Sequence, residues 1–395
     1  MKPTRIRSLD LRLLAAAPLL LGACASAPPM KDFNAPLPLG APALIRVTDV
    51  GEWPDLREGW ENRADLIPAL ERSIQWTTRE HAKQFFPIEG ISHARAVESL
   101  LLFRELLESS SSAQAFESAV RDEFALYKSA GYDGRGGGVL FTGYYTPILE
   151  GRLSGDRDFA HPLYALPGDL EKGPRGEILG RRTAVGLEPY PERRAIEASG
   201  MLRGQGLELV WFADPLDAFI AHVNGSAFVR LEDGSMARFG YAGNNGREYT
   251  SLAKELVAAG ELTSNESGLA AIRSWARRNP QRVQEYLDRN ERYVFFTPIT
   301  GNPRGSLNLE VEPGRTLATD KALFPRGAVT FVETHTPGAY YIDGPRFSRF
   351  MLDQDTGGAI RTAGRADIYV GVGEAAEAAS GELRAEGQLY YLFVH

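Results

Sequence analysis

The sequence predicts a mainly β fold with flanking helices. Apolar runs that alternate with polar residues, punctuated by Gly, Pro and Asn-Gly, fill residues 140–249 and 293–395, a pattern typical of strands and turns. Residues 64–130 and 251–290 instead carry apolar side chains three and four positions apart, which indicates amphipathic helices. The chain has 395 residues, more than one ordinary domain. Together these observations predict one β domain interrupted by another.

The helical segments have recognisable ends. Apolar periodicity runs through His93–Leu107 and again through Ala115–Tyr127, which predicts two consecutive helices. The serine run Ser109–Ser112 lies between them and offers N-caps. Gly260 closes a later apolar segment, where glycine is a common helix C-cap. The glycines within 131–138 predict a turn rather than a phosphate-binding loop, because no lysine follows them.

The composition excludes several classes of function. The net charge is −7 and no basic cluster is present, so nucleic acid is not an expected partner. The single cysteine rules out an internal disulfide and a Cys-rich zinc site. The six histidines stand at none of the common metal-ligand spacings, and no G-x-S-x-G nucleophile elbow appears. We therefore expect neither a metal nor a cofactor.

The first residues carry a signal for export. Positive residues precede an apolar run that ends at Ala23; it is too short for a stable membrane-spanning helix and typical of a signal peptide at 1–23. The only cysteine, Cys24, follows Leu21-Gly22-Ala23 and resembles a bacterial lipobox, which implies lipid attachment at Cys24. The alternative is a plain secretory signal in which this cysteine is incidental.

The residues after the cysteine bear on location. Ala25 follows it rather than aspartate, and by resemblance to lipoprotein sorting this favours the periplasmic face of the outer membrane, with the protein lipid-anchored. Residues 24–45 are rich in Pro and Ala and predict an extended, lipidated tether.

Carboxylates in glycine-rich β structure near the C-terminus are the main chemical candidates. Asp355 ends an apolar approach and is followed by Gly357 and Gly358, which let a backbone or a ligand come close. Asp367 stands between two apolar residues, and apolar neighbours favour the protonated carboxyl that a general acid needs. The alternative interpretation is that both aspartates cap turns.

Asp355-Thr356-Gly357 is also the active-site tripeptide of aspartic peptidases. Those enzymes need two such carboxylates that share a proton, and no second Asp-Thr-Gly or Asp-Ser-Gly occurs in this sequence. A homodimer could supply the second copy, but the protomers of such dimers are usually far shorter than this chain. An aspartic-type peptidase is therefore the least favoured alternative.

A series of short motifs runs through the body of the chain. They are Phe141-Thr-Gly-Tyr-Tyr-Thr-Pro147, His161-Pro-Leu-Tyr-Ala-Leu-Pro167, Asp214-Pro-Leu-Asp-Ala-Phe-Ile220, Tyr241-Ala-Gly-Asn-Asn-Gly-Arg-Glu-Tyr-Thr-Ser251, Tyr293-Val-Phe-Phe-Thr-Pro298, Ala318-Thr-Asp320, Phe324-Pro-Arg-Gly327, Asp355-Thr-Gly-Gly-Ala-Ile360 and Arg365-Ala-Asp367-Ile-Tyr369. In this order they resemble the MltA family of lytic transglycosylases. The family's C-terminal module is named for three aspartates, which here match Asp320, Asp355 and Asp367.

The resemblance implies a particular architecture. It implies a double-psi β-barrel domain, interrupted by a second, inserted β-rich domain, with a groove between them. The barrel, with N-terminal helices, is expected from residues 46–140 plus 297–395. The inserted substrate-binding domain is expected from residues 141–296.

The resemblance also implies an enzyme, a lytic murein transglycosylase or peptidoglycan lyase. Such an enzyme cleaves the β-1,4 bond between N-acetylmuramic acid and N-acetylglucosamine without water and leaves 1,6-anhydro ends. Asp367 matches the family's catalytic acid/base, with Asp355 beside it in support. Because the attacking C6 hydroxyl belongs to the sugar itself, one carboxyl can serve first as acid and then as base. The sequence leaves open whether Asp355 orients Asp367 or acts on it as a like charge, and whether Asp320 is catalytic or structural.

Substrate contacts are expected from aromatic rings and amides rather than from charge. Asn224 departs from the family's usual glutamine and is shorter by one methylene. The tyrosines could equally be half-buried strand residues, and Asn244-Asn245-Gly246 could be a hairpin turn. The candidate substrate-binding residues are Thr142, Tyr144, Tyr145, Asn224, Tyr241, Asn244, Asn245, Tyr249, Gly357 and Gly358.

A competing class is a non-catalytic, glycan-binding outer-membrane lipoprotein. It would share the anchor, the acidic body and the aromatic residues, but the presence of all three aspartates favours catalysis. In either case the expected partners are peptidoglycan glycan strands, the outer membrane through the lipid anchor, and proteins of cell-wall synthesis or remodelling.

Overall fold

The computed structural model describes residues 31–266, 268–335 and 346–395. The signal peptide predicted at 1–23, the lipid site at Cys24 and the start of the predicted tether lie outside the described residues. Within the described ranges, no helix combines the length and the apolar character needed to cross a membrane.

The described chain is a mixed α and β structure with substantial sheet content. Its strands are β1 (Leu44–Arg46), β2 (Phe124–Ser129), β3 (Val139–Thr146), β4 (Ile148–Glu150), β5 (His161–Tyr164), β6 (Leu170–Lys172), β7 (Ile178–Thr183), β8 (Gly186–Glu188), β9 (Glu208–Phe212), β10 (Ser226–Arg230), β11 (Met236–Asn244), β12 (Val294–Pro298), β13 (Thr316–Ala318), β14 (Val329–His335), β15 (Arg346–Asp355), β16 (Arg365–Val372) and β17 (Arg384–Val394). Its α-helices are α1 (Arg57–Glu61), α2 (Ile67–Thr77), α3 (His93–Ser109), α4 (Ala113–Glu123), α5 (Arg193–Ser199), α6 (Pro215–Asn224), α7 (Leu252–Ala258), α8 (Leu269–Arg278), α9 (Val283–Leu287) and α10 (Glu374–Glu382).

The largest sheet closes on itself. Its strand order is β1-β2-β17-β14-β15-β13-β16-β3, and β3 also pairs with β17. The six strands from β17 round to β3 therefore form a closed barrel, with β2 and β1 extending from β17. The pairings β3–β16 and β13–β15 are parallel, whereas β13–β16 and β14–β15 are antiparallel. Closure removes the unpaired edges that an open sheet would expose on these strands.

A second group of strands lies between β3 and β13 in the sequence. It contains a four-stranded sheet in the order β12-β11-β10-β4, a two-stranded sheet of β5 and β9, and a three-stranded sheet of β6, β7 and β8. Helices α5 to α9 belong to the same stretch of chain. The strand β3 crosses the predicted boundary between residues 140 and 141 and pairs throughout with barrel strands.

Helices α2, α3 and α4 pack against the outside of the barrel through a buried apolar cluster. Phe103 of α3 and Phe116 of α4 meet Phe350 of β15 with ring centroids 5.0 and 5.7 Å apart. Gln354 of β15 is buried and donates to the carbonyl of Ala69 at 2.7 Å, which ties α2 to the strand. These contacts fix the position of the C-terminal end of β15.

The predicted helix starts are confirmed by side-chain caps. Ser92 accepts a hydrogen bond from the backbone N–H of Arg95 at the start of α3, and Ser112 accepts one from Ala115 at the start of α4. The prediction that the second helix continues to Tyr127 is wrong. The chain leaves the helix at Glu123 and enters β2, because its backbone groups pair with β17.

The strand prediction for residues 140–249 is wrong for α5 and α6. Asp214 accepts from the N–H of Leu216 and Pro215 is the first helical residue, so α6 carries a standard N-terminal signal. The turn predicted at residues 131–138 is confirmed, since Gly131, Gly134, Gly136 and Gly138 all have positive φ.

Candidate active site

Two aspartates flank the same short strand. Ala318, the last residue of β13, pairs in register with Asp355 of β15 on one side and with Asp367 of β16 on the other. The β13–β15 register shifts just before this point, so Asp355 rather than Gln354 stands opposite Ala318. Because neighbouring strands lie about 4.8 Å apart, the two aspartate Cα atoms are about 10 Å apart. Only a methyl side chain stands between them.

Asp367 is held through one of its two carboxylate oxygens. The hydroxyl of Thr142 on β3 donates to Oδ1, and the Arg365 guanidinium donates to the same oxygen at 3.2 Å. Arg365 also donates to Thr142 Oγ1 at 3.0 Å, which closes a ring of three contacts. Oδ2 has no hydrogen-bond partner among the residues that the structure describes. The carboxyl is therefore oriented through Oδ1 while Oδ2 stays available.

Asp355 is more deeply buried and more fully bonded. Its Oδ1 accepts from the backbone N–H groups of Ser306 at 2.7 Å and Thr356 at 2.8 Å. Its Oδ2 accepts from the Tyr144 hydroxyl at 2.8 Å. Burial raises the pKa of Asp355, and these three hydrogen bonds oppose the rise. The arrangement suits a carboxyl that is held in place rather than one that turns toward a ligand.

Tyr144 lies in register with Tyr369 on the neighbouring strand, so the two rings pack together. Their centroids are 5.2 Å apart. Burial and the neighbouring Asp355 carboxylate raise the pKa of Tyr144 well above its usual value. Its hydroxyl therefore remains a donor across the physiological pH range.

The third aspartate of the motif set lies in a turn. Asp320 accepts from the backbone N–H of Ala322 at 3.0 Å, and its own carbonyl accepts from Leu323 and Phe324. The next residue, Lys321, is buried and forms an ion pair with Asp353. Asp353 also accepts from the Tyr391 hydroxyl at 2.8 Å. The segment after β13 is thus fixed to β15 just behind Asp355.

A cavity of about 590 Å³ opens beside the two catalytic candidates. Its walls come from barrel strands and from the stretch between β3 and β13, and Ala318 is part of the lining. The predicted site residues that line it are Tyr144, Tyr145, Asn224, Tyr241, Asn244, Tyr249, Asp355, Gly357, Gly358 and Asp367.

Helix α6 presents Asn224 to this cavity. Its last turn is closed by Gly225, which has φ +69° and accommodates the left-handed conformation that ends the helix. The Asn224 amide donates to the Ile220 carbonyl at 2.9 Å, and its side-chain carbonyl oxygen is an acceptor by its chemistry. Tyr241 is 41% exposed, and its hydroxyl accepts from the Asn244 amide at 2.5 Å. These groups form the polar and aromatic wall opposite the barrel.

Two predicted binding residues occupy other positions. Asn245 is 2% exposed and lies outside the cavity lining. Its amide donates to the carbonyls of Pro191 and Glu291, and its Oδ1 accepts from the N–H of Tyr293 at 2.8 Å. It therefore joins three backbone segments. Thr142 acts on Asp367 rather than facing the cavity.

The sequence predicts uncharged substrate contacts and does not point to the three arginines that line the cavity. Arg292, Arg304 and Arg361 all line the cavity. They come from three separate segments, and no motif groups them. Arg361 alone carried a signal, since it directly follows the Asp355-Thr-Gly-Gly-Ala-Ile360 motif.

Family models cover most of this architecture. The MltA specific insert domain matches residues 140–297 and the 3D domain matches residues 315–393. Among solved structures, a membrane-bound lytic murein transglycosylase from Agrobacterium tumefaciens is 26% identical with a TM-score of 0.74, over 89% of this chain and 98% of that one. Escherichia coli MltA with bound chitohexaose, 23% identical with a TM-score of 0.65 over 89% of this chain and 94% of that one, shares the fold.

A curated relative gives the sequence evidence. The Vibrio cholerae membrane-bound lytic murein transglycosylase A is 32% identical over 263 residues. The alignment spans 65% of this chain and 66% of that protein, just under two thirds of its length. The two family models together match more than half of this chain, which therefore belongs to the MltA family.

Proposed function

We propose that this chain cleaves the glycan strands of peptidoglycan as a lytic transglycosylase, with Asp367 as its single acid/base. The observation that carries the proposal is the asymmetry of the Asp367 carboxyl. Oδ1 accepts hydrogen bonds from Thr142 and Arg365, whereas Oδ2 has no hydrogen-bond partner among the described residues. The Asp367 side chain also lines the cavity. A group arranged in this way can exchange a proton without losing its orientation.

The reaction proceeds in two proton transfers at Oδ2 of Asp367. Protonated Asp367 gives its proton to the glycosidic oxygen as the bond between C1 of N-acetylmuramic acid and that oxygen breaks. The C6 hydroxyl oxygen of the same sugar bonds to C1, and the Asp367 carboxylate takes the hydroxyl proton. The product is a 1,6-anhydro end, and Asp367 is again protonated. Proximity of the tethered hydroxyl takes the place of a bound water.

Asp355 acts as a positioning residue in this scheme. Its oxygens accept from Ser306, Thr356 and Tyr144, so they are committed to hydrogen bonds within the protein. Tyr144 in turn packs on Tyr369, two residues beyond Asp367 on β16. This contact supports a role for Asp355 in holding the barrel face that carries Asp367. The capping contacts of Asp320 support a structural role for that residue.

The cavity is the proposed substrate groove. Support for a glycan substrate comes from the aromatic and amide wall of Tyr241, Asn244 and Asn224, which suits the flat faces and hydroxyls of sugars. The name of the Vibrio cholerae relative and the chitohexaose bound to the Escherichia coli protein point to the same substrate class.

The type of barrel and the cellular location are part of the same proposal. A closed six-strand ring with two parallel pairings supports a double-psi β-barrel. The word membrane-bound in the names of the relatives, together with the lipobox-like sequence at Cys24, supports attachment by lipid at the periplasmic face of the outer membrane.

The mass of the muropeptides released from purified peptidoglycan tests the function. Residues 25–395 are expected to release muropeptides one water lighter than hydrolytic products, and Asp367→Asn is expected to release none. Asp214→Asn, which changes a helix cap outside the cavity lining, serves as the matched control and should retain the activity. Near-full activity of a folded Asp367→Asn protein would overturn the assignment. Retention on peptidoglycan without cleavage by the wild type would instead favour the glycan-binding lipoprotein.

A further inference from the structure

Three guanidinium groups line the proposed substrate groove. Arg292, Arg304 and Arg361 all contribute to its wall. Within the described part of the chain, none of the three forms an ion pair, whereas Arg365 nearby is paired with Asp367. All three guanidinium groups donate hydrogen bonds to backbone carbonyl oxygens. Arg304 donates to the carbonyl of Asn308 at 2.9 Å.

Arg292 and Arg361 converge on one point of the wall, the backbone of Gly358. Arg361 Nε donates to the Gly358 carbonyl at 3.3 Å. Arg292 Nη1 donates to the Arg247 carbonyl at 3.3 Å, and a Cβ on Gly358 would lie 3.6 Å from Arg292 Nε. The two side chains form an arginine pair, Arg292 and Arg361, beside the loop that begins at Asp355.

The charge of Arg292 is only partly compensated by its surroundings. Burial lowers the pKa of Arg292, and the like charge of Arg361 lowers it further. Tyr241 and Glu248 act in the opposite direction, but neither forms an ion pair with Arg292. A desolvated guanidinium without a counter-ion is unfavourable and gains most from an anion that accepts two hydrogen bonds. A carboxylate has this geometry.

We propose that the arginine pair, Arg292 and Arg361, binds a carboxylate carried on the lactyl side of the substrate's muramic acid. This inference rests on the proposed function, because it assigns part of the same groove. The carboxylate is either the lactyl group's own, in a strand without peptide, or one on the attached peptide. The pair would thereby distinguish peptidoglycan strands from neutral chains of N-acetylglucosamine.

Binding without turnover tests the inference. Dissociation constants are measured by calorimetry on the Asp367→Asn protein with three probes of similar length: chitohexaose, peptide-free peptidoglycan strands and peptide-bearing strands. At least one of the two kinds of strand is expected to bind about ten-fold more tightly than chitohexaose, the effect of one hydrogen-bonded charge contact. Added salt should weaken strand binding and leave chitohexaose binding unchanged. Equal dissociation constants for peptide-free and peptide-bearing strands and chitohexaose would overturn the inference.

Removing the arginine pair gives the second arm. Arg292→Gln/Arg361→Gln is expected to abolish the preference for strands while chitohexaose binding stays within about two-fold. Arg104→Gln, on the exposed face of α3 and paired with Glu71, is the matched control and should keep the preference. A double variant that keeps the preference for strands would contradict the inference. Equal loss of affinity for strands and chitohexaose would also contradict it, because it would indicate a structural role for the two arginines.

The source of the carboxylate is read from a third probe. If peptide-free strands already show the preference, the lactyl carboxylate is bound; if only peptide-bearing strands show it, the carboxylate belongs to the peptide. Either result supports carboxylate binding. Failure of the proposed function is seen separately, as an absence of anhydro products from the wild-type protein, and leaves the binding comparison intact because that comparison needs no cleavage.

Discussion

A single hydroxyl organises the proposed acid/base at the residue scale. Thr142 donates to Asp367 Oδ1 and accepts from Arg365. Thr142→Val keeps the shape and removes both contacts, so kcat should fall about ten-fold, since a hydrogen bond to a charged group contributes roughly 1.5–3 kcal/mol. Steady-state rates on peptidoglycan measure this. Thr297→Val, at an exposed position on β12, is the control. An unchanged kcat for Thr142→Val would mean that Asp367 is oriented by other groups.

The burial of the Asp355 carboxyl predicts how the stability of the protein depends on pH. Burial raises the pKa of Asp355, so the folded protein holds this proton to higher pH than the unfolded chain and loses stability once the group ionises. Asp355→Asn removes that cost. The variant should have a higher Tm than the wild type at about pH 7, and the gap should narrow as the pH falls toward about 4.

Asp156 provides a control of opposite sign. Backbone N–H groups of Phe159 and Asp158 lower the pKa of Asp156, so its contribution to stability is present at neutral pH and disappears on acidification. Asp156→Asn should therefore lower the Tm at neutral pH. A lower Tm for Asp355→Asn as well would show that its hydrogen bonds outweigh its burial.

The residue scale also shows what the sequence could and could not predict. The motifs predict Thr142, Asp355 and Asp367 as site residues with Thr142 on the substrate, whereas in the structure Thr142 contacts Asp367. No periodicity reveals this, because the contact depends on the parallel register of β3 and β16. Arg292 escaped notice because its position in the groove depends on residues far away in the chain.

Helix caps carry the testable prediction at the element scale. Ser112 accepts from the backbone N–H of Ala115 at 3.2 Å at the start of α4. Ser112→Ala should lower the free energy of unfolding by about 1 kcal/mol, the usual contribution of an N-cap, with no change in activity. Urea denaturation measures this, with the exposed neighbour Ser111→Ala as the control. Equal effects of the two changes would contradict a capping role.

Elements with local signals were predictable, and elements set by remote partners were less so. The N-cap residues Ser92 and Ser112 mark the starts of α3 and α4 in the sequence. The predicted end of α4 is wrong because residues after Glu123 pair with β17, which lies more than two hundred residues away. Helix α6 had a readable start in Asp214-Pro215, but the surrounding strands and turns obscured it.

Barrel closure is the property of the whole molecule on which the site depends. Gly387 of β17 pairs with Thr334 of β14 and with Val139 of β3, so it lies at the closing seam. A Cβ there would come within 2.1 Å of the Glu333 carbonyl oxygen. Gly387→Ala should therefore lower Tm and expression sharply, whereas Gly381→Ala, where nothing lies within 4 Å, should be tolerated. Thermal unfolding of the two variants measures this. Equal Tm values would contradict the close strand pairing at Gly387.

The central claim is that the sugar's own C6 hydroxyl attacks, with no water in the product. The most direct measurement is digestion of peptidoglycan by the wild-type protein in water labelled with heavy oxygen, followed by mass spectrometry of the muropeptides. The account predicts anhydro ends that carry no label. One labelled oxygen at each newly formed end would mean that water attacks, and that the protein is a hydrolase built on the same two aspartates.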